Sequence, residues 1–434
     1  MDNMLPWERA TPHYERVMPI KKPEMSPWER VMTALEHKQT DRTPFSLGFG
    51  VNLSAKKELQ AYLRFSNMEE VDAYLLSFSD IRWAEVKYIG PTTRCASLHD
   101  GSRTDIWGVE RSPVCYGLGF YDEISRYPLA GVNDINDLNG YMWPSPDWID
   151  TGDVVNFIDA INAGYSDKRD GVCASAQAGN CVKKRIKACT DRRGKKRVNA
   201  QIGNCANKHN GARANRRDRK YTICIGNGNI FETAWYLRGF AQTLEDLILH
   251  PELSWEIMTR VTDFYCAYFT KILQAAEGMI DIVFTADDIG QQNGLIMSMK
   301  LWEKMIKPHH VRLNKLLHEY GVKIMYHSDG AVMEAIPGLI DMGVDILEAL
   351  QFDAAGMDPA AMKQKYGDKL CFHGGVSVQK TLPFGAPETV RREVCDRISV
   401  LGKNGGYILA PSHAIQAGTP PENIVAFLDA AMKR

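Results

Sequence analysis

From residue 221 to the C-terminus, short apolar or β-branched runs alternate with longer segments in which apolar residues recur at helical spacing. The short runs are YTICIGNG (221–228), IDIVFTADD (280–288), VKIMYHSDG (322–330), DILEALQ (345–351), KLCFHGG (369–375) and GYILAPSH (406–413). Near-continuous apolar runs of this length read as strands buried on both faces. Helices are predicted between them at about 230–242, 251–276, 298–319, 332–342, 358–365 and 386–402, with a last one at 420–432. Upstream, SPWERVMTALEHK opens a helix with Ser26 as N-cap, Pro27 at the first helical position and Glu29 completing a capping box. TPFSLGFG (43–50) reads as a first strand, residues 97–112 as a hairpin turning at Asp100 and Gly101, residues 141–150 as a loop, and residues 151–164 as a helix. Alternation of β and α at this spacing predicts an α/β fold with a parallel sheet, closed into a (β/α)8 TIM barrel.

Polar residues stand where several of these runs end. In a barrel the C-terminal ends of the strands converge on one mouth, which groups Asp287, Asp288, His327, Asp329, His373 and His413 as candidates for one site. His327 and Asp329 are two residues apart, so on a continuing strand they share a face. A carboxylate and two imidazoles make a plausible three-ligand zinc set that leaves one position open, and His413 is the best third ligand. Glu348 is a further ligand or a hydrogen-bonding partner to one. Each histidine taken alone reads as an ordinary hydrogen-bonded residue at a strand end. Adjacent strand residues face opposite ways, so only one of Asp287 and Asp288 is expected in the mouth. His373 with Gly374 and Gly375 offers an imidazole and a close backbone approach, and Asn227 lies in a GNGN loop (226–229) of the anion-binding type that lacks the further glycine of a dinucleotide fingerprint. The sequence contains neither a P-loop nor a GxSxG elbow.

Charge changes the picture in one place. Residues 168–220 hold 17 Lys and Arg against three Asp, a local +14 that leaves −15 for the rest of a chain whose total is −1. The block contains no Leu, Phe, Trp or Tyr, so it buries too little apolar surface to offset the entropy of ordering it. It reads as a basic, disordered insertion, with residues 1–25 as an irregular arm and residues 26–434 as one barrel domain around it. Cys173, Cys181, Cys189, Cys205 and Cys224 lie in or just after the block at irregular gaps that do not form a zinc module, although Cys205 and His209 have a finger-like spacing. Its basic clusters lack interleaved aromatics to stack bases, which leaves nonspecific nucleic-acid binding as a minor reading. Ten scattered cysteines, no apolar run near the roughly 18 residues of a membrane span and no signal-peptide core give a cytoplasmic expectation.

Several longer segments carry a resemblance: ALEHKQTDRTPF (34–45), SRTDIWGV (102–109), FETAWYLRGFAQTLEDLILHPE (231–252), DDIGQQNGLIMS (287–298), YHSDGAVMEAIPGLIDMGVDILEALQ (326–351), FHGGVSVQKTLPFGAPETVRREV (372–394) and GGYILAPSHAIQAGTPPENI (405–424). In this order they resemble the uroporphyrinogen decarboxylase superfamily, which includes the zinc methyltransferases of corrinoid-dependent methyl transfer. The resemblance implies a TIM barrel with its site at the C-terminal mouth. True decarboxylases carry a basic MRQAGR-type motif soon after the Arg-x-Pro step, where this chain has DRTPFSLGFGVNLSAKK and no arginine pair. The methyltransferases place zinc on a His-x-Cys pair and a later Cys; here His327, Asp329 and His413 stand in those places, with the spacing kept and the thiolates gone. The implied activity is zinc-dependent methyl transfer between a methylated small molecule and a corrinoid, the corrinoid supplied by a partner protein or as co-substrate. Asp288, Glu348 and His373 are the expected catalytic residues, and Asn227, Gly374 and Gly375 the expected cofactor-binding ones. Cofactor-free decarboxylation of a tetrapyrrole or other polycarboxylate is the alternative, and nucleic-acid binding through the basic insertion a second. The superfamily passes from a helix like 151–164 directly to a strand like 221–228, without the insertion.

Overall fold

Seven short strands supply the barrel wall of the computed structural model, which describes residues 25–98, 100–117, 120–163 and 219–433. The N-terminal arm up to residue 24 and the basic segment up to residue 218 lie outside the described residues. In chain order the strands are β1 (Ile81–Trp83), β2 (Thr222–Ile225), β3 (Ile282–Ala286), β4 (Lys323–His327), β5 (Ile346–Ala349), β6 (Cys371–Val376) and β7 (Tyr407–Pro411). Each pairs in parallel with its sequence neighbour. Residues 44–46 form the eighth stave and close the ring. Leu409 N–H donates to Pro44 O at 2.8 Å and Ser46 N–H to Leu409 O at 2.9 Å, while Asp80 N–H, just before β1, donates to Phe45 O at 2.8 Å. Strands β2 to β7 are buried almost throughout, because helices cover them outside and side chains fill them inside.

Most helices form where the periodicity places them, and three breaks have local causes. The 230–242 prediction becomes Ile230–Arg238 and Phe240–Leu249, split at Gly239, whose φ of 100° stops the first helix. The 298–319 prediction becomes Met299–Met305 and Lys307–Glu319; Pro308 in the first turn of the second helix lacks the N–H that a continuous helix would use. The 332–342 prediction shortens to Ile336–Asp341, with Pro337 in its first turn. The expected strand at 43–50 contracts to the Phe45–Leu409 bridge, after which Gly50 N–H closes a turn onto Leu47 O at 2.8 Å. The hairpin at 97–112 is present as a Ser97–Arg103 bridge, and a three-stranded antiparallel sheet (Arg103–Thr104, Glu110–Cys115, Phe120–Arg126) continues from it.

The helix Pro27–Leu35 seals the floor of the barrel. Its capping box forms as the sequence predicts, with Glu29 N–H donating to Ser26 Oγ and Ser26 N–H to the Glu29 carboxylate. Val31 and Leu35 pack against the lumen residues Ile81, Cys224, Ile282, Met325, Ile346, Cys371 and Ile408. Arg30 anchors the helix through a buried pair of carboxylates, Asp41 and Asp80, each at 2.7 Å. The last two residues of the basic segment are tied to the same floor, with Arg219 Nη1 at 2.6 Å from Asp281 and Trp28 N–H donating to Lys220 O at 3.0 Å. Among the described residues, no helix is long and apolar enough to cross a membrane.

Candidate metal centre

Strand pleating and register bring the polar strand ends together. His327 ends β4, Asp329 follows it by two residues, and His413 follows β7 by two. One donor atom from each of the three lies within 4.8 Å of the others. His327 Nε2 is 3.6 Å from Asp329 Oδ1, and the two imidazole centroids are 6.0 Å apart. Phe49, in the turn after the eighth stave, sets its ring against both imidazoles at centroid distances of 4.9 and 4.8 Å. One carboxylate and two imidazoles converging in this way could hold a metal ion.

Hydrogen bonds hold the carboxylate donor in place. Gln351 Nε2 donates to Asp329 Oδ1 at 2.9 Å, and Gln351 Oε1 accepts from Gly330 N–H at 2.8 Å. Asp329 N–H donates to Asp288 Oδ1 at 2.8 Å, which leaves that carboxylate 3.5 Å from His327 Nε2. Gly330 has φ 83°, and a Cβ there would sit 2.6 Å from the backbone nitrogen of Gln291, so this tight turn requires glycine.

The electrostatics are those of a negatively charged pocket. Burial opposes charge on His327, but Glu348, Asp329 and Asp288 outweigh it and raise the imidazole well above its usual range. Burial raises the Asp329 carboxyl, against the pull of His327 and His413. Glu232, in the first turn of the helix after β2, is raised well above the usual carboxyl range by burial and then by Asp288 and Asp287. Among the described residues no Lys or Arg pairs with Asp288, Asp329, Glu232 or Glu348. A bound dication would offset this excess.

Several expected residues do other work. Asp287 is fully buried and faces away from the mouth; it accepts Phe231 N–H at 2.9 Å, Glu232 N–H at 2.8 Å and His310 Nε2 at 2.5 Å, capping the helix Ile230–Arg238. Asp288, its neighbour, enters the mouth, as strand alternation requires. Glu348 and His373 stand in register with His327 on the next two strands and are buried rather than at the rim, 1% and 2% exposed. Glu348 Oε2 accepts from His327 Nδ1. Gly374 and Gly375 face protein rather than an open cofactor cradle: a Cβ on Gly374 would meet Ala349 O at 2.2 Å, and one on Gly375 would meet the Phe352 ring at 3.0 Å. Asn227 is exposed just after β2 with φ 87°. Glu232, Gln351 and Phe49 were not foreseen. Glu232 reads in sequence as ordinary first-turn acid, and nothing in a glutamine or a turn phenylalanine signals a place beside the three donors.

Comparison with known proteins places this site in a family context. The model of the uroporphyrinogen decarboxylase family matches residues 214–434. The uroporphyrinogen decarboxylase of Psychromonas ingrahamii is 32% identical over 82 residues, 18% of this chain and 23% of that protein. That of Vibrio campbellii is 26% identical over 169 residues, 36% of this chain and 45% of that protein. The chain therefore spans less than half the length of these curated relatives. A solved methyltransferase from Methanosarcina mazei superposes with a TM-score of 0.58 at 16% identity, over 94% of this chain and 98% of that one. This last likeness establishes the barrel fold.

Proposed function

This chain belongs to the uroporphyrinogen decarboxylase family, and from that starting point we propose that it is a zinc-dependent methyltransferase acting on a small methylated compound. The observation that carries the reading is the convergence of His327, Asp329 and His413 in a mouth whose other carboxyls pair with no Lys or Arg among the described residues. Such a mouth favours a metal cation and repels a porphyrinogen bearing several carboxylates.

His327 Nε2, Asp329 and His413 would hold the ion. When bound, zinc supplies Lewis acidity toward the heteroatom that carries the methyl group, making it a better leaving group. The chain's own residues do the rest. Gln351 and the turn at Gly330 orient Asp329. Phe49, with Phe284 at a centroid distance of 5.5 Å and Trp83 at 5.7 Å from Phe284, forms an aromatic floor that excludes water beside the donors. Burial, then Asp288 and Asp287, raise the Glu232 carboxyl well above its usual range, which favours its acid form beside the mouth. A corrinoid, brought by a partner protein or as co-substrate, is the expected methyl donor or acceptor.

Decarboxylation of a tetrapyrrole or other polycarboxylate is the second reading, favoured by the names of the partial-length relatives. One experiment separates the two. The purified protein, supplied with zinc and reduced cobalamin, is given methoxy, methylamine and methylthiol compounds while methylcobalamin absorbance is followed; uroporphyrinogen is assayed in parallel for released carbon dioxide. Methyl transfer that His327→Ala abolishes supports the proposal. Decarboxylation that survives His327→Ala refutes it.

A further inference from the structure

A buried polar row inside the barrel runs sideways from one of the three donors, His327. In register, His327 pairs with Glu348 and Glu348 with His373, on three adjacent strands. Two residues earlier on the same strands stand Met325, Ile346 and Cys371, which face the lumen. Strand alternation therefore turns all three polar side chains inward. Glu348 Oε2 accepts from His327 Nδ1. Its other oxygen, Oε1, has no hydrogen-bond partner and lies at ion-pair distance, 3.8 Å, from His373 Nδ1, and neither ring nitrogen of His373 has a hydrogen-bond partner.

A carboxylate only 1% exposed is costly unless its bonds offset the desolvation. Barrel lumens are ordinarily filled by branched apolar residues, which would pack this layer without that cost. The glutamate stands at the one level from which it reaches the back of His327. Its bond to Nδ1 fixes the tautomer and the ring plane, leaving Nε2 as the only free donor and aiming it at Asp329 and His413.

We infer that Glu348 is a positioning residue for the metal centre, acting through His327, with His373 confining the carboxylate from its other side. The inference rests on the metal-site reading above. What matters is the reach and direction of the Glu348 oxygen, more than its charge.

The test measures zinc affinity by competition with a chromogenic chelator for the full chain and for Glu348→Gln, Glu348→Asp and Glu348→Ala, each checked for native far-ultraviolet circular dichroism. Cobalt-substituted samples give a parallel visible spectrum of the ligand field. Glu348→Gln keeps an acceptor oxygen at the same reach and is expected to lose at most about tenfold in affinity, with the cobalt spectrum of the unaltered chain. Glu348→Asp keeps the charge but not the reach; it and Glu348→Ala are expected to lose about 10- to 100-fold, with altered spectra. Unaltered affinity in all three variants, or an aspartate that binds as tightly as glutamate while glutamine fails, overturns the inference and leaves the metal site standing. An unaltered chain that binds no zinc removes the inference together with the reading beneath it.

Discussion

Protonating Asp41 should loosen the helix that seals the barrel floor. Asp41 Oδ1 accepts from Arg30 Nε at 2.7 Å and Oδ2 from Arg30 Nη2 at 2.9 Å, a two-pronged pair on a helix also held by Asp80 and by the packing of Val31 and Leu35. Burial works against the carboxylate, but the hydrogen bonds and charge of Arg30 prevail and hold it at about 2, against an ordinary 3.8. A carboxyl depressed in the folded state contributes stability that is fully present above its unfolded value and is lost as pH falls through its folded value. The window therefore runs from about pH 4 down to about pH 2. The difference corresponds to about 2 kcal/mol at neutral pH, reduced to about 1–2 kcal/mol by solvent screening. Asp41→Asn removes this contribution at every pH. Urea unfolding followed by circular dichroism should give a gap of about 1–2 kcal/mol between the unaltered chain and the variant at pH 7, roughly halved at pH 3. A gap that stays constant or widens between those pH values would show that the Arg30 pair does not depress Asp41.

Substitutions at two other positions probe how the mouth is built. Gly374→Ala places a Cβ 2.2 Å from Ala349 O on a backbone with φ 115°, so it should cost about 3 kcal/mol or more, read as a lower thermal midpoint. Asp287→Ala removes the acceptor for Phe231 N–H, Glu232 N–H and His310 at once, and leaves His310 buried without its partner. It should destabilise the chain by about 3–5 kcal/mol in urea titrations, while Asp287→Asn, which keeps an acceptor oxygen, should cost less.

The barrel was legible because its strands and helices differ in period. Strands β2 to β7 announce themselves as apolar runs, and Ser26, Pro27 and Glu29 write a helix start that the structure forms bond for bond. The residues IRW of β1 gave no such signal: three residues without a Gly or Pro boundary are too short for alternation to register. The stave at 44–46 lies inside the strand expected at 43–50, and its bonds to Leu409 and Asp80 make it part of the ring. The convergence of His327, Asp329 and His413 is legible in the sequence because each stands at or just after a strand end, where the fold makes them neighbours. Glu348 was noticed too, but its depth was not, since inward or outward direction follows from register with His327 and His373. Asp287 and Asp288 were separable by alternation, although only the fold shows that Asp287 caps a helix that precedes it by some 50 residues. Glu232 reached the mouth through that cap, a tertiary contact that no local pattern contains.

The central claim is that His327, Asp329 and His413 bind one metal ion. Metal content by mass spectrometry on the purified full chain, beside His327→Ala and His413→Ala, tests it most directly. The account predicts about one zinc per chain, lost in both variants while their circular dichroism stays native. Metal-free protein after loading with zinc, or zinc retained in full by both variants, would contradict it.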